Sequence, residues 1–149
     1  MSTNSFIGIR HLDGSISGIY CHWDGYPQGV GHTLYAYYGN LRKIIQLINL
    51  GDISSLRRHV KSQSFVDHAA TVAYGRDRGE GWGYVAPKHF SDIDTAIRRS
   101  SYEFVYIWEQ RLNCWWFGET KFEENEEGVF ETTIKKITEL NYSRYKPMV

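Results

Sequence analysis

An excess of charge of either sign is missing from this chain: seventeen Lys and Arg stand against seventeen Asp and Glu, a formal net charge of zero. A salt-driven nucleic-acid binder carries a basic excess, so general nucleic-acid binding is not expected. Cysteine is scarce. Cys21 and Cys114 lie far apart and belong to no CxxC or Cys/His cluster, which argues against a disulfide framework or a cysteine-rich metal centre. The apolar runs are too short to span a bilayer, and no secretory signal is evident. The expectation is two reduced thiols in a cytoplasmic protein with no membrane contact. Catalytic signatures are absent as well: the chain contains no GxxxxGK[ST], no GxSxG, and neither HExxH nor HxH.

Aromatic residues are what the chain has in quantity. They make up 15% of its 149 residues, with eleven Tyr and five Trp. Such side chains bury large areas while keeping a polar tip for a partner, so part of this excess is expected to line a binding surface. The densest stretch is residues 20–32, Tyr-Cys-His-Trp-Asp-Gly-Tyr-Pro-Gln-Gly-Val-Gly-His. It combines three aromatic rings, two histidines, a carboxylate, a thiol and three glycines.

Length and composition fit one domain, residues 1–149, with loose ends at 1–4 and 142–149. Residues 6–12 and 15–23 read as a hairpin closed by a two-residue Asp13-Gly14 turn. That register places Ile7, Ile9, Ile16, Tyr20 and His22 on one face, and Phe6, Arg10, Ile19, Cys21 and Trp23 on the other. Apolar residues on both faces predict a hairpin inside a sheet covered on both sides. A helix begins near residues 30–33, Gly39 ends it, and Asn40 caps the next, whose apolar positions are Leu41, Ile44, Ile45 and Ile48. Gly51 supplies the stop, and Asp52, Ser54 and Ser55 offer capping oxygens. Residues 69–74 read as a strand leading into a glycine-rich charged loop, 75–81. Ser91 and Asp94 approximate a capping box for a short helix. Residues 102–109 alternate as a strand, with 113–117 as its hairpin partner. The five glutamates between Glu119 and Glu127 read as a solvated loop, with a docking patch for a basic partner as the alternative. Phe130, Ile134, Ile137 and Leu140 have helical spacing. The fold class is α+β, a mostly antiparallel sheet with helices packed against it.

The pattern Tyr20-Cys-His-Trp-Asp-Gly-Tyr-Pro27, followed by Gly29-Val-Gly31, Leu50-Gly-Asp-Ile-Ser-Ser-Leu56 and Ala73-Tyr-Gly-Arg-Asp-Arg-Gly-Glu80, carries a resemblance. Over its first half the chain resembles a family of small proteins of tailed bacteriophages and prophages. The resemblance brings no catalytic residue. It implies a phage accessory protein made in a bacterial host cytoplasm, where countering host defence is a common role.

Three chemistries compete at the two conspicuous loops. His22, Asp24 and His32, with Cys21 or Asp77, could ligate a metal, but a His bonded to backbone and an Asp capping a turn explain the same residues. Arg76 and Arg78 around a flexible glycine-rich backbone suit phosphate or carboxylate, whereas an Arg76–Asp77–Arg78 knot tied to the Asp24 loop is the structural alternative. Cys21 and His22 are neighbours that point to opposite faces of a strand and form no dyad. The favoured expectation is a non-enzymatic binder without cofactor or metal, using Tyr20, His22, Trp23, Asp24, Tyr26, His32, Arg76, Asp77 and Arg78. Its partner is a host protein or a nucleotide-like small molecule, and a homo-oligomer stays open. The alternative is a small nucleotide or phosphodiester hydrolase using His22, Asp24 and His32.

Overall fold

A computed structural model describes residues 2–63 and 68–140. Its centre is β1 (Ser5–Arg10), which pairs antiparallel with β2 (Ile16–Cys21) on one side and parallel with β6 (Phe104–Glu109) on the other. Beyond β6 lie β7 (Cys114–Glu124) and β8 (Phe130–Glu139), both antiparallel. Beyond β2 lie the short strands β3 (Ile53–Ser55), β4 (Val72–Ala73) and β5 (Lys88–Phe90), giving eight strands among the described residues. The fold is α+β with a mostly antiparallel mixed sheet, as expected from the sequence.

Both faces of the sheet are covered. One carries Ile7, Ile9, Ile19, Cys21, Tyr106 and Trp108, packed under α1 (His32–Tyr37) and α2 (Leu41–Ile48) through Leu34, Ile44, Leu47 and Ile48. The other carries Phe6, Ile16, Val105 and Ile107 beneath Ala96 and Ile97 of α5 (Ile93–Ile97). Burying each of these large side chains contributes about 1.5–3 kcal/mol, so the two clusters hold the central strands from both sides. No helix among the described residues is long and apolar enough to cross a membrane.

The hairpin register differs from the expected one. Residues 11–15 form a wider loop in which His11 N–H donates to Ser15 O at 2.8 Å and Gly14 N–H to His11 O at 2.9 Å. Asp13 Oδ1 accepts from the Ser15 N–H at 2.9 Å and from its hydroxyl at 2.6 Å, and Gly14 takes a φ of 89°. Ile7 therefore faces Ile19, and Phe6 faces Tyr20. This slip moves Ile19 and Cys21 onto the face of Ile7 and Ile9, because strand side chains alternate with a period of two. The opposed pair Gly8 and Gly18 makes room for the Phe6 ring: a Cβ on Gly18 would lie 2.2 Å from Phe6 Cζ and 2.8 Å from Ile7 O.

Local signals behave unevenly elsewhere. Asn40 caps α2 by accepting the Lys43 N–H at 2.9 Å, and Gly51 ends that region with a φ of 75°. Leu47 is buried there in place of Ile45, which stays 42% exposed. Asp92, rather than Ser91, caps α5 by accepting the Thr95 N–H at 2.7 Å. Ser54 and Ser55 belong to β3 instead of capping a turn. Residues 74–78 are helical (α3, Tyr74–Arg78) and close on Gly79 at a φ of 68°, so the expected loop begins only there; α4 (Trp82–Val85) follows. The expected final helix is instead β8, and the glutamate-rich run is mostly the outer part of β7. Thr3 and Asn4 are held rather than loose: Thr3 O accepts the Gly25 N–H at 2.8 Å, and Asn4 Oδ1 accepts the Glu103 N–H at 2.8 Å. The tail expected at 142–149 lies outside the described residues.

Candidate functional site

The chain leaves β2 still extended, because β3 continues the pairing: His22 N–H donates to Ile53 O and Trp23 N–H to Ser54 O, each at 3.1 Å. It then reverses at Asp24, whose φ of 57° is in the left-handed region that short polar side chains tolerate. Asp24 O accepts the Val30 N–H at 2.8 Å. Gly29 packs so closely on that carbonyl that a Cβ would come within 2.3 Å of it. From below, the buried Tyr106 hydroxyl donates to Gly25 O at 2.7 Å. The loop after β2 is thus pinned from the terminal segment, the core and its own far side.

Its side chains fall into two groups. Tyr20 and His22, two apart on an extended segment, share a side, with the phenol oxygen 2.6 Å from His22 Nδ1. Burial raises the Tyr20 phenol above its ordinary value. The His22 ring meets Trp23 edge-on at 4.6 Å, while Tyr20 lies 6.2 Å from Tyr102, so four rings run in sequence along this end of the sheet. Burial pushes the Tyr102 phenol up to about 12. Tyr26 forms the second group: its hydroxyl donates to Asp24 Oδ1 at 3.2 Å, and the residue lines a cavity.

That cavity, of about 630 Å³, sits between the Tyr26 loop, the 100–104 segment and β7. Tyr26, Tyr102, Phe104 and Phe122 line it, together with Glu103 and Glu119. Threonines fix its walls. Thr120 Oγ1 donates to the carbonyls of Tyr102 and Glu103, and Thr132 Oγ1 donates to Ser100 O at 2.6 Å. Phe122 stacks on Phe130 at 5.4 Å, and both residues are more than half exposed (67% and 57%). No Lys, Arg or His lines the cavity among the described residues.

Arg76 and Asp77 lie elsewhere and serve the fold. Arg76 grips Asp77 through Nε and Nη2 at 3.0 and 2.9 Å, and donates to Val60 O and Thr71 O, each at 2.7 Å. Asp77 Oδ2 also takes the Ala73 N–H at 2.7 Å. Burial pushes this carboxyl up, but Arg76 and the Ala73 N–H together hold it below the usual range. Of the Arg76–Asp77–Arg78 knot expected from the sequence the structure has the Arg76–Asp77 pair, and it ties α3 to Val60 and Thr71 rather than to Asp24. Arg78 stands outside it, 5.4 Å from the centre of the Tyr74 ring.

Among the described residues no group of three or more His, Cys, Asp and Glu is arranged to hold a metal ion, so His22, Asp24 and His32 do not form one. His32 opens α1, with its ring 6.5 Å from that of Tyr37. Both cysteines are free, and burial pushes the Cys21 thiol up to about 12, far from a reactive thiolate. Of the residues singled out by sequence, Tyr20, His22, Trp23, Asp24 and Tyr26 share one end of the sheet. Tyr102, Glu103, Phe104, Glu119 and Phe122 complete that end and were read only as strand and acidic run; the docking-patch alternative for the glutamates was the signal that pointed there. No family model, curated protein or solved structure matches the chain.

Proposed function

We propose that the chain is a non-enzymatic binding domain that engages a protein partner through the aromatic end of its sheet. The observation that carries this reading is the cavity of about 630 Å³ beside the Tyr26 loop, with a wall of rings held in place by core and threonine hydrogen bonds. Cavities of this size with a few convergent polar groups are where ligands seat, and Tyr and Trp dominate the energetics of protein interfaces. The row Tyr102, Tyr20, His22 and Trp23 extends the surface outward, with Trp23 43% exposed. A nucleotide-like ligand is less well served, because Arg76 already donates to Asp77, Val60 and Thr71. The hydrolase alternative loses support in a similar way, with the His22 ring engaged by Tyr20 and Trp23 and the Asp24 carboxylate by Tyr26. The resemblance to tailed-phage proteins, not the geometry, supports the setting: an accessory protein in a bacterial cytoplasm that counters host defence by occupying a host protein.

The test is affinity capture from infected cells with the full chain and with a Tyr26→Ala, Phe122→Ala double variant. Loss of one defined partner by the variant, at an unchanged melting temperature, is the expected result. A partner kept at full yield by the folded variant counts against the reading.

A further inference from the structure

Two acidic residues, Glu103 and Glu119, line the cavity. Glu119 stands directly across the β6–β7 ladder from Phe104, so a carboxylate and a ring share one face of the wall. Glu103 lines the cavity from the residue just before β6, its backbone fixed by Asn4 Oδ1 on its N–H and by the Thr120 N–H on its carbonyl, the latter at 3.1 Å. Neither carboxylate makes an ion pair with a described side chain. Around them stand the Tyr26, Tyr102, Phe104 and Phe122 rings, whose faces are electron-rich. A carboxylate pair repels an anionic ligand, while rings and carboxylates together attract a cation with an apolar stem. The volume exceeds one side chain, which suits a residue presented on a polypeptide rather than a bare ion.

We infer that the cavity takes the cationic side chain, arginine or lysine, of an exposed segment of the partner protein. This rests on the cavity being the binding site. Ring faces receive the stem and the charge, and Glu103 and Glu119 complement the head group. Both glutamates are exposed, so the attraction is screened by salt.

The experiment is a fluorescence titration of the full chain with three blocked pentapeptides, identical but for a central arginine, norleucine or glutamate. The arginine peptide is expected to bind about tenfold tighter than the norleucine peptide, and the glutamate peptide more weakly than both. The arginine preference should shrink in high salt and vanish in a Glu103→Gln, Glu119→Gln double variant that keeps its melting temperature. Equal binding of the arginine and norleucine peptides overturns the inference, as does an arginine preference that survives in the double variant, or no binding by any peptide. Spermidine binding as tightly as the arginine peptide overturns the assignment to a protein side chain. If any of these occurs while Tyr26→Ala, Phe122→Ala still loses its captured partner, the binding-domain reading stands and the cation is wrong.

Discussion

The backbone N–H of Tyr20 donates to Asp52 Oδ1 at 2.9 Å, so a side chain rather than a strand completes the edge of β2 at that point. β5 covers residues 16–18 of this edge and β3 meets it at Cys21, leaving one gap between two short strands. Asp52 fills the gap and does more. Its N–H donates to Val85 O at 2.7 Å, its carbonyl accepts the Tyr74 N–H at 3.2 Å, and Lys88 Nζ lies 3.7 Å from Oδ2. One residue thereby joins the strand that leads into the site to α3, α4 and β5.

Replacing Asp52 separates acceptor from charge. Asp52→Ala leaves the Tyr20 N–H without its partner and should cost about 1–3 kcal/mol, read from denaturant melts. Asp52→Asn keeps an acceptor and should cost much less at neutral pH. Burial raises the Asp52 carboxyl above its ordinary value, with the Tyr20 N–H and Lys88 only partly opposing it. Its contribution is therefore fully present below the ordinary Asp range and is lost as pH rises through the raised value. The stability of the wild type relative to Asp52→Asn should fall across that window. A difference that grows with pH would contradict the sign.

Arg76 and Arg78 should behave differently although they are two residues apart. Arg76→Ala removes two bonds to backbone carbonyls and the Asp77 pair, and should cost roughly 1–3 kcal/mol. Arg78→Ala should leave the melting temperature nearly unchanged. Asp77 is held below its ordinary value, so its contribution is present above the ordinary Asp range and is lost as pH falls through the lower folded value. In Arg76→Ala that acid-side loss should be smaller. Equal melts for the two arginine variants would refute the division.

A third measurement concerns the hairpin. A methyl on Gly18 would meet both the Phe6 ring and the Ile7 carbonyl, and the carbonyl cannot rotate away. Gly18→Ala should cost about 1–3 kcal/mol, the usual range for overpacking a filled core. In the two-residue-turn register Gly18 would face Ile9 instead and the Phe6 ring would lie on the other side, so a neutral substitution would speak against the observed pairing.

How much of this was legible varies with the reach of the signal. The alternation along β6, the Asn40 cap and the Gly51 stop are local, and the structure keeps them. β8 departs from the expected helix for a physical reason. Its ladder pairs Thr120 with Ile134 but Glu119 with Lys136, so Lys135 is an extra residue. The bulge puts Ile134 and Ile137 on the same side at a spacing of three, which in sequence imitates a helix. Thr132, Thr133 and Thr138 were the opposing β signal. At the site, residues 20–26 announced themselves by density. The cavity did not, because its other walls come from residues 100–132 and only the sheet brings them to the Tyr26 loop.

Tyr106 is fully buried, and its hydroxyl, at 2.7 Å, holds the carbonyl of Gly25 at the turn between Asp24 and Tyr26. Tyr106→Phe keeps the ring, and with it the stacking on Phe117 at 6.1 Å, but takes away that hydrogen bond. The Gly25 carbonyl then lacks the Tyr106 donor, at a cost of about 1–2 kcal/mol in stability. The larger expected effect is local. The turn would still have the Gly25 N–H bond to Thr3 O and the Val30 N–H bond to Asp24 O, but would lose its hydrogen bond to β6. Amide exchange at Gly25 and Val30 should therefore accelerate well beyond that of the β1 and β6 amides, which open only with large unfolding events. If Tyr26 works by being preorganised, partner affinity should fall with this loosening even though no side chain lining the cavity has changed. Faster exchange with unchanged affinity would show that Tyr26 is not an anchor. Unchanged exchange at Gly25 would show that the Tyr106 hydroxyl is not what fixes the loop.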